Sequence, residues 1–122
     1  MDKYEVKDKK VQVFGIKTAV KDGYEVVVKT YIHSKESGGL WAFVRELSEN
    51  ERFSAKAVQV EETTQFKIVY NPKITTELYI EFGGKTYDIV SIDKFEFNKT
   101  DLVIRANKIL TPVYDEVCYE DY

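Results

Sequence analysis

The sequence has 122 residues and a formal net charge of −3, and 43% of its residues are hydrophobic. This length fits one domain whose core can form without disulfides or metal ions. The 18 basic residues are interspersed among 21 acidic ones along the chain. We therefore expect no basic surface of the kind that tight binding of nucleic acid requires.

Features of the termini and the single cysteine indicate where the chain folds. Cys118 has no second cysteine with which to pair inside the chain, which suits a reducing compartment. The first residues are charged from Asp2 onward, unlike a secretory signal peptide. No apolar stretch has the length of a membrane span. We therefore expect folding in a cytoplasm and no membrane partner.

The first third of the chain predicts a hairpin after a flexible N-terminal segment at residues 1–10. Alternating apolar residues begin at Val11, and Asp22-Gly23 predicts a tight turn between two strands. The second predicted strand covers residues 24–32. One face would hold Tyr24, Val26, Val28, Thr30 and Ile32, and the other Glu25, Val27, Lys29 and Tyr31. We expect one of the two faces to be drier.

The middle of the chain predicts a polar loop, a strand and a short helix. Residues 33–39 form the loop, and residues 40–47 are typical of an extended segment. Ser48 and Glu51 have the spacing of a capping box, which predicts a helix over residues 52–58. The connection 47–64 is longer than usual, and such connections are often functional. It is either a surface that packs on neighbouring subunits or an ordinary helix that caps the domain.

The second half predicts strands of regular spacing. Residues 65–70 form a strand that Asn71-Pro72 ends, and Gly83-Gly84 predicts another hairpin turn. Residues 98–101 are expected to turn the chain into a last strand. The expected inward faces hold Leu78, Ile80 and Phe82, opposite Tyr79 and Glu81, and then Leu102, Ile104 and Ala106.

These elements together predict a mostly β fold. We expect a small antiparallel β-barrel or sandwich of six to seven strands, with one short helix and long loops. The domain covers residues 11–109, and residues 110–122 form an acidic C-terminal tail that can dock on another surface.

The sequence offers no constellation of catalytic residues. His33 is the only histidine, and we expect it on the surface, at a strand end beside the polar loop. A pair with Cys118 would need a geometry that an acidic tail is not expected to hold. One histidine and one cysteine cannot form a zinc site, and no calcium-binding loop pattern occurs. We expect no catalytic, metal or cofactor residues, no small-molecule substrate and no enzyme activity.

Trp41 has two interpretations, a core anchor or a hot spot of a protein interface. It stands in the first of three stretches, which are Leu40–Val44, Ser48–Phe53 leading through Thr63-Thr64 into Phe66–Tyr70, and Leu78–Ile92 with its Gly-Lys-x-Tyr hairpin. Together these stretches resemble the phage head–tail adaptor family, also called head-closure or head-completion proteins of long-tailed phages. Their order and spacing carry the resemblance over residues 11–108.

The resemblance implies a barrel that forms a ring of many copies under the portal of a phage head, with a symmetry that matches the portal. The ring would close the DNA-filled head and contact portal or connector proteins on one side and tail proteins on the other. DNA would only pass through its channel. The protein would work in the host bacterial cytoplasm and then in the virion. The loop 33–40 and the segment 47–64 would supply the contact faces, with candidate residues His33, Lys35, Glu36, Trp41, Glu49, Glu51, Arg52, Phe53 and Lys56.

Two other functions stay open from the sequence. The first is a tail-completion or tail-terminator protein of the same particle. The second is a ligand-binding β-barrel module unrelated to phages, in which Tyr24, Tyr31, Tyr70 and Tyr79 would have to converge on one surface.

Overall fold

The computed structural model of the protein describes residues 6–46, 63–95 and 98–119. Within these ranges the fold is mostly β, as predicted, and contains no helix. There are eight strands where six to seven were expected. They are β1 (Lys9–Lys21), β2 (Tyr24–Tyr31), β3 (Leu40–Glu46), β4 (Thr63–Val69), β5 (Tyr79–Phe82), β6 (Lys85–Phe95), β7 (Asn98–Ile109) and β8 (Glu116–Tyr119).

Two tight turns connect consecutive strands as the sequence predicts. Asp22 and Gly23 both have positive φ, 52° and 83°, between β1 and β2. Gly83 and Gly84 have φ values of 62° and 78° between β5 and β6. Turns with two left-handed residues match the twist of the flanking strands, so these two hairpins follow from local sequence.

The strands form a single sheet in the order β3-β4-β7-β6-β5-β1-β2-β8. A further antiparallel pairing of β1 with β3 places Lys9 opposite Ala42 and Val11 opposite Leu40. Six strands (β3, β4, β7, β6, β5 and β1) therefore make a closed cycle of pairings. The strands β2 and β8 extend the sheet beyond this cycle, because β2 pairs with the Phe14–Lys21 part of β1.

Alternating side chains build the main core. In β5, Ile80 is fully buried and Phe82 packs against the core, as does Leu78 just before the strand, which confirms the predicted inward face. Leu102, Ile104 and Ala106 of β7 are likewise buried. We define the main core as Val11, Val13, Ile32, Ala42, Phe66, Ile68, Ile74, Ile80, Tyr87, Ile89, Leu102, Ile104 and Ala106.

A second buried group lies outside the main core. Phe14 is fully buried, and its ring contacts Tyr79 of β5 and Tyr31 of β2, with centroid separations of 5.4 and 5.9 Å. In β2, Val26, Val28 and Thr30 on one face are half-buried, whereas Lys29 and Tyr31 on the other face are buried. That face is covered by a segment far along the chain, which alternation within β2 cannot indicate.

The C-terminal region departs most from expectation. Residues 116–119, expected in a tail, form β8, which pairs in parallel with β2 through Val28 opposite Glu116 and Tyr31 opposite Tyr119. Residues 98–101 lie in β7, where a turn was expected, because Asn98 already pairs with Phe95 of β6. The predicted helix at 52–58 falls outside the described residues.

Candidate interaction surfaces

The loop 33–40 lies against β1. Lys10 donates a hydrogen bond from Nζ to the carbonyl of Ser37 (2.8 Å), and the Gln12 amide donates one to the carbonyl of Gly38 (2.7 Å). Gly39 has a φ of 133°, and a Cβ there would collide with the carbonyl oxygen of Val11. Only glycine allows this approach, so the loop is held at a defined place on the surface.

Two predicted interface residues, Lys35 and Glu36, are exposed on this loop. Trp41 follows at the start of β3 and is 54% exposed, so its interpretation as a core anchor was wrong. Its outward position follows from alternation with the buried Ala42. The Lys10 ammonium lies 4.4 Å from the Trp41 ring centroid, a cation–π arrangement.

An open apolar groove of about 280 Å³ adjoins the tryptophan. Gly39, Leu40, Trp41, Ile68, Val69, Tyr70 and Asn71 line it. Val69 is also exposed, so two large apolar side chains border one depression. Tryptophan beside such a depression is typical of interface hot spots. This surface, Trp41 with Val69 and the groove, is named the tryptophan surface below.

The prediction that His33 lies on the surface was wrong, because only 3% of this residue is exposed. Its ring lies 5.1 Å from that of Tyr31 and 6.1 Å from that of Tyr119, so β8 and its own strand neighbour cover it. Nδ1 lies 3.1 Å from the carbonyl of Ser34, to which it can donate, and Nε2 has no hydrogen-bond partner among the described residues. Cys118 is exposed and, as the neighbour of Tyr119 along a strand, points to the other face of β8.

An ion pair between the buried Lys29 and the half-buried Glu81 lies beside this histidine, and the sequence analysis missed it. Lys29 donates from Nζ to one oxygen of Glu81 (2.8 Å), and the Tyr31 hydroxyl donates to the other (2.8 Å). The Lys29 ammonium also lies 4.5 to 5.1 Å from the ring centroids of Phe14, Tyr31 and Tyr114. The signal in the sequence was Lys29, a charged residue in a predicted strand that has Tyr24 and Tyr31 at its two ends.

The pKa values of this group follow from its contacts. Burial lowers the pKa of Lys29, but its bonds to Glu81 and Tyr31 outweigh burial and leave the pKa above its ordinary value of 10.5. Burial raises the pKa of Tyr31 above its ordinary value of 10.0. At neutral pH Lys29 is therefore charged and Tyr31 neutral. The pair serves structure here, because the Lys29 ammonium is already held by a carboxylate and three rings.

Residues 115–119 contact residues 27–31 of β2. The amide of Asp115 donates to the carbonyl of Val27 (2.8 Å), and the amide of Val27 donates to Oδ2 of Asp115 (2.8 Å). Glu116 pairs with Lys21 at 2.6 Å, and the Tyr119 ring stacks on Tyr31 with centroids 4.9 Å apart. We name Phe14, Tyr31, His33, Tyr79 and Tyr119 the aromatic cluster.

Five predicted interface residues lie outside the described residues. They are Glu49, Glu51, Arg52, Phe53 and Lys56. The segment that holds them leaves β3 after Glu46 and enters β4 at Thr63, and Glu46 pairs with Thr64 across the two strands. Its two ends are therefore adjacent, at the end of this strand pair opposite to Trp41.

Other kinds of site find little support in this geometry. The four tyrosines of a ligand-binding module do not converge, because Tyr31 and Tyr79 contact Phe14, Tyr70 packs against the main core and Tyr24 is exposed. Across residues 6–46, 63–95 and 98–119, no three His, Cys, Asp or Glu side chains group as metal ligands would. Nor do these ranges contain a helix with the length and apolarity of a membrane span.

A closed set of antiparallel strands with an exposed tryptophan beside a fixed loop fits a protein that works through its surfaces. A family model described as phage head completion protein matches residues 8–109. The chain belongs to this family. The resemblance inferred from the three stretches is thereby confirmed. This head completion protein is a structural protein of bacteriophages that takes part in virion assembly. Membership also places it in the virion, in contact with other head or tail proteins.

A solved structure shares the fold. The solution structure of protein SF1141 from Shigella flexneri 2a is similar with a TM-score of 0.65 and 19% identity, over 87% of this chain and 96% of that chain. At this identity the similarity concerns the fold alone. No curated protein matches the sequence significantly.

Proposed function

We propose that this head completion protein assembles as a ring below the portal, where it closes the DNA-filled head and joins it to the tail. The observation that carries the proposal is the family match over residues 8–109. The copies would contact portal or connector proteins on one side and tail proteins on the other. Assembly would take place in the host cytoplasm, and the weakly acidic charge of −3 suits a channel through which DNA passes without adhering.

The closed cycle of six strands supports this role as a scaffold. Such a cycle is the pairing pattern of a small barrel, the fold expected from the sequence. Each of the six strands pairs with two others of the cycle, and paired edges are less open to aggregation than unpaired ones. Contacts between copies would then come from loops and from strands outside the cycle. We predict that this body comprises residues 11–109.

The tryptophan surface and the loop 33–40 would form one contact face. Trp41 is exposed beside an apolar groove, and the hydrogen bonds from β1 hold the loop that carries Lys35 and Glu36. The segment 47–64, with Glu49, Glu51, Arg52, Phe53 and Lys56, would form a second face, because it starts at the opposite end of β3. A ring uses two different faces of each copy, and these two fit that requirement.

The experiment uses particles from cells in which the gene is deleted. Filled heads without tails are expected to accumulate, and purified protein added to them is expected to restore tail attachment, measured by negative-stain microscopy and plaque counts. Heads that already carry tails of abnormal length would instead support the tail-completion alternative and contradict head closure.

Trp41→Ala tests the contact face in the same assay. Loss of a tryptophan hot spot costs about 2 kcal/mol or more in binding, which is a loss of roughly 30-fold or more in affinity. Tyr24→Ala is the matched control, because Tyr24 is also an exposed aromatic residue, 75% exposed at the β1–β2 turn. Equal restoration by both variants would exclude the tryptophan surface from assembly.

A further inference from the structure

The C-terminal strand β8 covers side chains that would otherwise be exposed to solvent. Beneath and beside β8 lie His33, which is buried with Nε2 unpartnered among the described residues, and the buried Tyr31. Lys29 is buried next to them, with Tyr114 as one wall of its aromatic surroundings. If residues 114–119 left β2 and nothing replaced them, His33, the Tyr31 ring and the edge of β2 would be open to water or to other chains.

The segment is connected to the body by a short hinge. Thr111 is tied to the body, because its hydroxyl lies 2.9 Å from that of the buried Thr86. Tyr114 is already in place beside Lys29. Between these two points lie Pro112 and Val113, and Val113 is 85% exposed. Residues 113–119 can therefore leave the body without removing any side chain of the main core.

The attachment is weak compared with the strands of the cycle. β8 has four residues and pairs with a single neighbour, in parallel, and parallel pairs are somewhat less stable per residue than antiparallel ones. Its ion pair, Lys21 with Glu116, is solvent-exposed, and such pairs contribute little. The segment therefore covers side chains that would otherwise be exposed, but it is attached to β2 by few and weak interactions.

The groups on β2 select the occupant. They require an extended segment that places one aromatic ring near Lys29, a carboxylate at the amide of Val27 and a second ring on Tyr31. On the segment, Glu116 pairs with Lys21. Residues 114–119, Tyr-Asp-Glu-Val-Cys-Tyr, meet this requirement, and every copy of the chain carries them at the end of a hinge.

We infer that residues 114–119 exchange between copies, so that in the assembled state the C-terminal strand of one copy docks on β2 of the next with the contacts seen here within one chain. This inference deepens the proposed function, on which it rests for the place of exchange. Each copy would give a strand on one side and receive one on the other, which is a head-to-tail contact and can close into a ring. The contacts are identical before and after exchange, so the hinge alone changes conformation.

Cys118 provides a direct test, because it pairs with Thr30 across β2 and β8. Neighbouring strands lie about 4.8 Å apart, within the range that a disulfide can span. The docking receiver is the double variant Thr30→Cys, Cys118→Ser, and the donor is the unchanged chain. A disulfide between positions 30 and 118 then forms fastest when the strand of the donor docks on the receiver. The control receiver is Thr76→Cys, Cys118→Ser, in which Thr76 is an exposed loop residue.

The donor is mixed with each receiver at several concentrations under oxidised glutathione, and the mixed dimer is followed on non-reducing gels. We expect linkage with the docking receiver at least about tenfold faster than with the control receiver, because docking raises the effective concentration of the two thiols. Mass spectrometry should identify the peptide that joins positions 30 and 118. Equal rates for the two receivers would overturn the inference.

A second pair of positions covers the case in which Thr30→Cys prevents folding. Val28 pairs with Glu116 two residues earlier on the same two strands. The receiver is then Val28→Cys, Cys118→Ser, and the donor is Glu116→Cys, Cys118→Ser. The same difference in rate against the control receiver is expected, and its absence would again overturn the inference.

A locked chain separates this inference from the proposed function. Thr30→Cys in the presence of the native Cys118, oxidised at high dilution, closes the disulfide within one chain and prevents exchange. We expect the locked chain to fail in ring formation and in restoring tails to heads, and reduction to recover both. If the locked chain restores heads fully, exchange is excluded and the head-closing role stands. If mixed dimers form and heads are not restored by any form, exchange stands and the head-closing role fails.

Discussion

Phe14, Tyr31 and His33 of the aromatic cluster are buried, as the main core is, yet the two groups are built differently. The main core is apolar and lies mostly within six strands, each of which pairs with at least two others. The aromatic cluster contains a histidine, contacts a buried ion pair and depends on β8, which pairs with β2 alone. The comparison teaches that equal burial does not mean equal local stability, because the cover of the cluster can open without unfolding the rest.

Phe66→Ala should give the largest effect. Phe66 is fully buried in the main core and meets Phe82 and Tyr87 edge-to-face. We expect the free energy of unfolding to fall by about 3–5 kcal/mol, because a cavity replaces the ring. Urea denaturation measures the change, with Val90→Ala at an exposed position of β6 as control. A loss no larger than that of the control would show that the main core does not dominate stability.

Glu81→Gln tests the ion pair next to the cluster. The substitution leaves the Lys29 ammonium buried without its carboxylate partner. Charge-assisted hydrogen bonds of this kind contribute about 1.5–3 kcal/mol, and we expect a loss of that size in urea denaturation. Glu77→Gln, at an exposed loop position, is the control. If the two variants have the same free energy of unfolding, the Lys29–Glu81 pair does not contribute to stability.

The same pair predicts a loss of stability in alkali. The folded-state pKa of Lys29 lies above 10.5 and that of Tyr31 above 10.0, the values expected in the unfolded chain. Their contribution is therefore complete at lower pH and is lost as the pH rises through the folded-state values. Urea midpoints between pH 8 and pH 11 should fall above about pH 10, and less in Glu81→Gln. Parallel curves for the two proteins would contradict this assignment.

Tyr119→Ala should give the smallest of these effects on global stability. It removes the stack on Tyr31 and uncovers His33, and aromatic pairs contribute about 0.5–1.5 kcal/mol. We expect faster hydrogen exchange at the amides of β8, with the amides of β7 unchanged. Lys21→Gln, which removes only the exposed pair with Glu116, should change exchange less. Equal acceleration in β7 would mean that the cluster and the main core open together.

Much of the strand pattern was predictable from the sequence. The two hairpin turns and the inward faces of β5 and β7 were correct, because positive φ at Asp-Gly and Gly-Gly and the period of two are local properties. The family was also recognisable, from the order of three stretches of moderate length. The strand count, β8 and the start of β7 were not predicted, since short or polar strands carry weak local signals.

The sequence by itself determined which residues alternate, where the tight turns lie and to which family the chain belongs. Only the tertiary structure decided what covers each face. It exposed Trp41, buried His33, joined Lys29 to Glu81 and set β8 parallel to β2. Alternation assigns a side chain to a face but does not say what lies over that face. For the aromatic cluster the answer is a segment whose Asp115 contacts Val27 from 88 residues away, a distance that no local pattern spans.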